Sequence, residues 1–302
     1  MKKNVPFKKV AIYLLAAAAV FACSQGVFAH TRLESPTVLE GTRVHNYVVI
    51  SHGCPPATAR NPTMGTSVVF PNAVGFSPII GVDSGGGKVY TTNSAASYYS
   101  PLAGIGALIR PVAAWTDYNQ LKVDSAGNKD GFWAGGKAYD QTISSYIDIP
   151  FYSAAVTIAP KSCARSVTFE LAIADFCSIA QPGSKAADAQ VLYWSPIPNF
   201  TGVPGQPFGA PVADATRSIP AAHAFSNYDG YADAAHTIAG DGWGSPATLK
   251  VTRNLTTNPL PSGCTGNAGL GDDVYVYPSA DQINHELPVW SNPDQTGTNV
   301  WQ

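Results

Sequence analysis

The 302-residue chain carries only 13% charged residues against about a quarter in an ordinary soluble protein, with 11% aromatics, 28 Gly and 24 Pro. Its 18 basic and 20 acidic residues form no basic patch, which argues against a nucleic-acid partner. No apolar run of about 18 residues follows residue 29, so no membrane-spanning helix is expected beyond that point.

Residues 1–29, MKKNVPFKKVAIYLLAAAAVFACSQGVFA, read as a secretory signal. Lys2, Lys3, Lys8 and Lys9 precede an apolar stretch from Val10 to Ala22, and Val27 and Ala29 stand at the −3 and −1 positions of a cleavage site. Cleavage after Ala29 removes four lysines and leaves 14 basic against 20 acidic residues, a net charge near −6. The exported chain then begins with His30. A free α-amine and an imidazole on one residue can chelate a single copper ion, and imidazole suits copper among the transition metals. Two alternatives stand beside this: a frayed terminus with no role, and lipidation of Cys23 within Val20-Phe21-Ala22-Cys23, which would remove the free amine.

Arg43–Ser51 is rich in β-branched and aromatic residues and predicts a strand. Alternation puts Val44, Asn46, Val48 and Ile50 on one face and His45, Tyr47, Val49 and Ser51 on the other. Thr66–Phe70 predicts a second strand, stopped by Pro71. Asp83–Gly87 is a turn, and Lys88-Val89-Tyr90 after it looks like a strand, not a phosphate-cradling helix start. Further strands are predicted at Ile143–Ile149, Ala155–Ile158, Val167–Ile173 and Val191–Trp194.

Residues 196–220 hold six prolines and read as a linker or long loop. It would separate a β-sandwich over 30–195 from an irregular, β-containing region over 221–302. In that region Thr248–Thr252 and Asp273–Tyr277 are the strongest strand signals, and Gly269–Asp272 is a turn. No helical period persists over 11 residues outside the signal. Cys54, Cys163, Cys177 and Cys264 make an even number in an exported chain and predict two disulfides, with three connectivities open.

The N-terminal part resembles the YcnI-like copper-binding domain of exported bacterial proteins. The resemblance rests on His30 directly after the signal, Gly41, Ile50-Ser51-His52-Gly53-Cys54, and Thr63–Pro71, with a looser match at Trp133-Ala134-Gly135-Gly136. It implies an immunoglobulin-like β-sandwich holding one copper ion through His30, an acidic residue and a tryptophan, here Trp133. The strand where the acidic residue belongs reads Arg43-Val44-His45, so Glu34, Glu40 or His45 would take that place.

Among the six histidines, His30 with His45 or His52 would give two imidazoles and one amine, a T-shaped set suited to copper and not to tetrahedral zinc. His223, His236 and His285 share no ligand spacing and read as surface or structural residues. No nucleophile elbow and no His-Glu-x-x-His segment is present. The first expectation is therefore an exported copper-binding protein of the periplasm or cell surface. It would act in copper acquisition, buffering or delivery, with a membrane copper transporter or chaperone as exchange partner. The others are a copper-dependent polysaccharide oxidase, for which the usual His-Gly opening is missing (Thr31 follows His30), and a metal-free surface or adhesion module.

Overall fold

The computed structural model describes residues 31–50, 63–71, 79–91, 93–100, 108–109, 116–123, 129–139, 146–177, 191–194, 247–278, 286–287, 289–290 and 299–300. The signal, His30, His52, Cys54, the proline-rich segment 196–220, His223, His236 and His285 lie outside the described residues.

Strand-forming sequence dominates the chain. Its first part gives β1 (Arg32–Leu33), β2 (Thr37–Leu39), β3 (Val44–Ile50), β4 (Thr63–Val69), β5 (Ile79–Asp83), β6 (Lys88–Thr91), β7 (Tyr99–Ser100) and β8 (Leu108–Ile109). The middle gives β9 (Thr116–Val123), β10 (Lys129–Tyr139), β11 (Ile147–Ser153), β12 (Thr157–Ile158), β13 (Ala164–Glu170), β14 (Ala172–Cys177) and β15 (Val191–Trp194). The last part gives β16 (Thr248–Thr252), β17 (Asp272–Tyr277), β18 (Val289–Trp290) and β19 (Asn299–Val300).

Three large sheets result: β1-β3-β11-β8, β15-β14-β4-β10-β9 and β2-β16-β13-β17-β5-β6. Most neighbours are antiparallel, but β13 runs parallel to β17 and β2 parallel to β16. All three sheets feed one core. Val48, Ile149 and Phe151 from the first meet Val68, Phe132 and Ile173 from the second, and Phe169, Leu249 and Val276 from the third. The alternation predicted for β3 holds, with Asn46, Val48 and Ile50 buried and His45 exposed. The architecture is all-β, as the β-leaning composition led one to expect, and a sandwich, as the resemblance implied.

Two features depart from the sequence reading. Val167–Ile173 alternates without interruption, yet it breaks at Leu171. The Leu171 N–H donates to the Ala247 carbonyl at 2.9 Å. β13 ends in the six-stranded sheet, and β14 begins beside Val69 in the five-stranded one. Glu170, Leu171 and Ala172 are all fully buried, as a crossing between layers must be, and a period-2 pattern does not register such a change of sheet.

The second departure concerns residues 247–278, expected to lie in a turn-rich extension beyond a linker. They supply β16 and β17, which pair with β13 on its two sides. The sandwich is thus incomplete at residue 195. Strand pairing is a long-range property, and local composition carries no record of it.

Of the two expected disulfides, Cys163–Cys264 is formed, with 5.4 Å between Cα atoms. This settles one pair among the three connectivities. Cys177 ends β14, and its side chain, like Cys54, falls outside the description.

Candidate metal centre

β1 lies on the edge of the four-stranded sheet, with Arg32 opposite Val49 and Leu33 opposite Val48. Leu33 points into the core and Arg32 out of it, so by alternation Thr31 also turns inward, and it is buried. There its Oγ1 donates to Asp175 Oδ2 at 2.5 Å. Asp175 sits on the core face of β14, opposite Thr66 of β4. Thr66 Oγ1 donates to Asp175 Oδ1 at 2.6 Å, and Trp194 Nε1 donates to Oδ2 at 2.6 Å. The carboxylate is fully buried, and three neutral donors take up three of its roughly four acceptor positions. A buried charge survives only with such partners. Position 30 is therefore covalently joined to a residue pinned against a buried acid and an indole.

The expected ligands fall in several places. His45 lies on the outer face of β3, against Tyr152 of β11 at 4.7 Å and Tyr47 at 5.0 Å between ring centroids. The Tyr47 hydroxyl is 3.5 Å from His45 Nδ1, the far limit of a hydrogen bond. Glu34 is exposed, and its N–H donates to the Tyr47 carbonyl at 3.0 Å. Burial, and then the Glu34 charge, raise the carboxyl of Asp148. Glu34 thus belongs to the same outer region as His45, across the sheet from the buried face that holds Thr31. His52 lies outside the description.

Two of the residues named from sequence have other neighbours in the fold. Glu40 accepts from Ile158 N and Asn254 N at 2.7 Å and from Asn258 Nδ2 at 3.0 and 3.1 Å, so its carboxylate is committed to structure. Trp133 pairs with Ser67, whereas Asp175 pairs with Thr66. Successive residues of β4 face opposite ways, so Trp133 and Asp175 lie on opposite faces of the sheet. The Trp133 ring packs on Phe176 at 4.7 Å. The indole that shares Asp175 with Thr31 is that of Trp194.

Sequence reading missed Asp175 and Trp194. The one available signal was an acidic residue inside the apolar run Ala172–Phe176, where an unpaired charge would be too costly to bury. Among the described residues no group of three or more His, Cys, Asp or Glu is arranged to hold a metal. No described helix is long and apolar enough to cross a membrane.

Removing the charge at the Asp175 node should be measurable. Asp175→Asn replaces one accepting oxygen by an NH2, which faces either the two donors on Oδ2 or the one on Oδ1, and is expected to lower stability by about 1–3 kcal/mol in urea titration. An unchanged midpoint would mean the three donors find other acceptors.

No protein-family model matches the chain, and no curated protein is significantly similar to it. Among solved structures, it is similar to an uncharacterized protein from Nocardia farcinica described as having an immunoglobulin-like fold. That similarity has 10% identity and a TM-score of 0.33, over 74% of this chain and 99% of the other.

Proposed function

We propose that the chain is an exported copper-binding protein acting in copper acquisition, buffering or delivery, with one ion held by the amine and imidazole of a mature N-terminal His30. The observation that supports this reading most is the tether at the next residue. Thr31 is fixed to Asp175 at 2.5 Å, and Trp194 and Thr66 close around the same carboxylate. A chelating terminus gains affinity when it is held in place instead of frayed, since less freedom is lost on binding. Asp175 serves here as a positioning residue: it orders the chain that carries the chelate. No substrate chemistry is needed for this role, and exchange would be with a membrane copper transporter or chaperone.

The purified exported chain is expected to start at His30 and to take up one Cu(II) per molecule, read by electron paramagnetic resonance and metal analysis. A version with one extra residue ahead of His30 should lose that stoichiometric site. Asp175→Asn should weaken it by about 10–100-fold, the usual effect of removing a group that orients a ligand. Equal uptake by the extended version would exclude the terminal chelate.

A further inference from the structure

Asparagine followed two positions later by serine or threonine is the acceptor pattern for N-linked glycans, provided the middle residue is not proline. The chain holds three such triplets. Asn61-Pro62-Thr63 is excluded by its proline, and Asn199-Phe200-Thr201 lies outside the described residues. The third, Asn254-Leu255-Thr256, forms the turn just beyond β16.

In that turn the asparagine side chain folds back on its own backbone. Asn254 Oδ1 accepts from the Thr256 N–H at 3.1 Å and from the Thr257 N–H at 3.3 Å. Such a turn sets the carboxamide beside the threonine two residues on. The oxygen is thereby committed, and the nitrogen is not. Nδ2 makes no hydrogen bond among the described residues and is not sealed in the interior. The Thr256 hydroxyl, on an exposed residue, likewise has no partner among them.

The turn projects from a fixed base. Arg253 before it is buried, and the Asn254 N–H donates to Glu40 Oε1 at 2.7 Å. The Asn254 carbonyl accepts from the Asn258 N–H at 2.7 Å, and Asn258 Nδ2 donates to both Glu40 oxygens. Between these anchors Leu255, Thr256 and Thr257 are all exposed, Leu255 to 57%. An apolar side chain that open contributes little to the core. A bulky hydrophilic group on Nδ2 would stand on this outer side, where there is room for it.

We infer that Asn254 is the attachment point of an N-linked oligosaccharide, transferred from a lipid-phosphate-linked donor in the compartment the chain enters on export. This rests on the export part of the reading above and not on copper. Nδ2 adds to the anomeric carbon of the donor's first sugar. The bond from that carbon to the phosphate oxygen breaks, and its electron pair leaves with the lipid-borne phosphate. One Nδ2 proton passes to a base on the transferase. An amide nitrogen is a weak nucleophile, because its lone pair is shared with the carbonyl. The two N–H groups on Oδ1 stabilise the charge that collects there as the proton departs. The product keeps Oδ1 and one N–H, so the turn survives the modification.

The test is peptide mapping by mass spectrometry of the full chain recovered from the exported fraction of the cells that make it. The result expected is a signal-processed chain with a saccharide mass on Asn254. Thr256→Ala should abolish the addition while leaving the urea midpoint unchanged, because the turn uses the backbone N–H of residue 256 and not its side chain. Thr256→Ser should restore it. A processed chain with a bare Asn254, sugar confined to Asn199, or modification that persists in Thr256→Ala overturns the assignment. A chain that retains residues 1–29 overturns it together with the export reading, so the two failures are told apart in one spectrum.

Discussion

Replacing Arg253 by methionine is expected to lower the stability of the fold by about 3–5 kcal/mol, the range seen when one side of a buried charged network is removed. The guanidinium sits just past β16, and its N–H groups all point at oxygens. Nε donates to the Asn258 carbonyl at 2.7 Å, and Nη1 to the carbonyls of Ser162 and Ala164 at 2.8 and 2.9 Å. Nη2 reaches the Pro160 and Pro259 carbonyls at 3.0 and 3.1 Å and Asn258 Oδ1 at 2.9 Å. Only 5% of the residue is exposed. Methionine would fill the volume and leave five backbone carbonyls facing an apolar chain, each worth about 1–3 kcal/mol if unsatisfied. Arg253→Lys should recover only part of the loss, because an ammonium has three donors and no planar fork. Urea unfolding followed by tryptophan fluorescence gives the number. A loss below about 1 kcal/mol would mean that water replaces the guanidinium without penalty.

Opening the Cys163–Cys264 bridge should have an effect of the same size. The two cysteines are 101 residues apart in sequence. The chain-entropy account gives about 4.7 kcal/mol for closing a loop near 100 residues, and removal of native bridges commonly gives about 2–5 kcal/mol. The bridge lies within the Arg253 neighbourhood: the Ser162 and Ala164 carbonyls flank Cys163, and the Asp272 N–H donates to the Cys163 carbonyl at 2.8 Å. The two perturbations therefore share a structure. A double variant, Arg253→Met with both cysteines changed to alanine, should lose less than the sum of its parts, and a double-mutant cycle measures the difference. Strict additivity would show that bridge and guanidinium brace independent pieces of the molecule.

What was legible in the sequence was what is local. β3, β15, β16 and β17 stand where β-branched and aromatic residues concentrate, and the turn between β5 and β6 follows its three glycines. The β9–β10 hairpin was not seen, although β10 is 11 residues long. Gly131, Gly135 and Gly136 depress its strand signal, and at Gly131 a Cβ would overlap the Val68 carbonyl oxygen and crowd the Lys122 stem. The break at Leu171 and the role of β16 and β17 depend on partners far along the chain, which periodicity cannot report. The same limit governed the site. His45, Glu34 and Trp133 follow from residue type, but the face each one occupies depends on strand pairing: His45 and Glu34 are exposed on the outer side of the first sheet, and Trp133 lies on the face of the second opposite Asp175. Asp175 and Trp194 meet Thr31 only because three strands from three stretches of chain converge.

The position of β13 has a consequence for how the molecule comes into being. Its two ladder neighbours are synthesised about 80 and 105 residues after it, so the six-stranded layer cannot start to close around β13 before residue 252 is free to move, nor be completed before residue 277 is. Loop-closure entropy of that order, together with two parallel pairings, places this chain among slow, high-contact-order folders. Until the final third arrives, β13 presents two open edges, the condition under which strands most readily pair with the wrong chain. The nascent polypeptide would need shielding by a chaperone, or rapid delivery to the place where it matures.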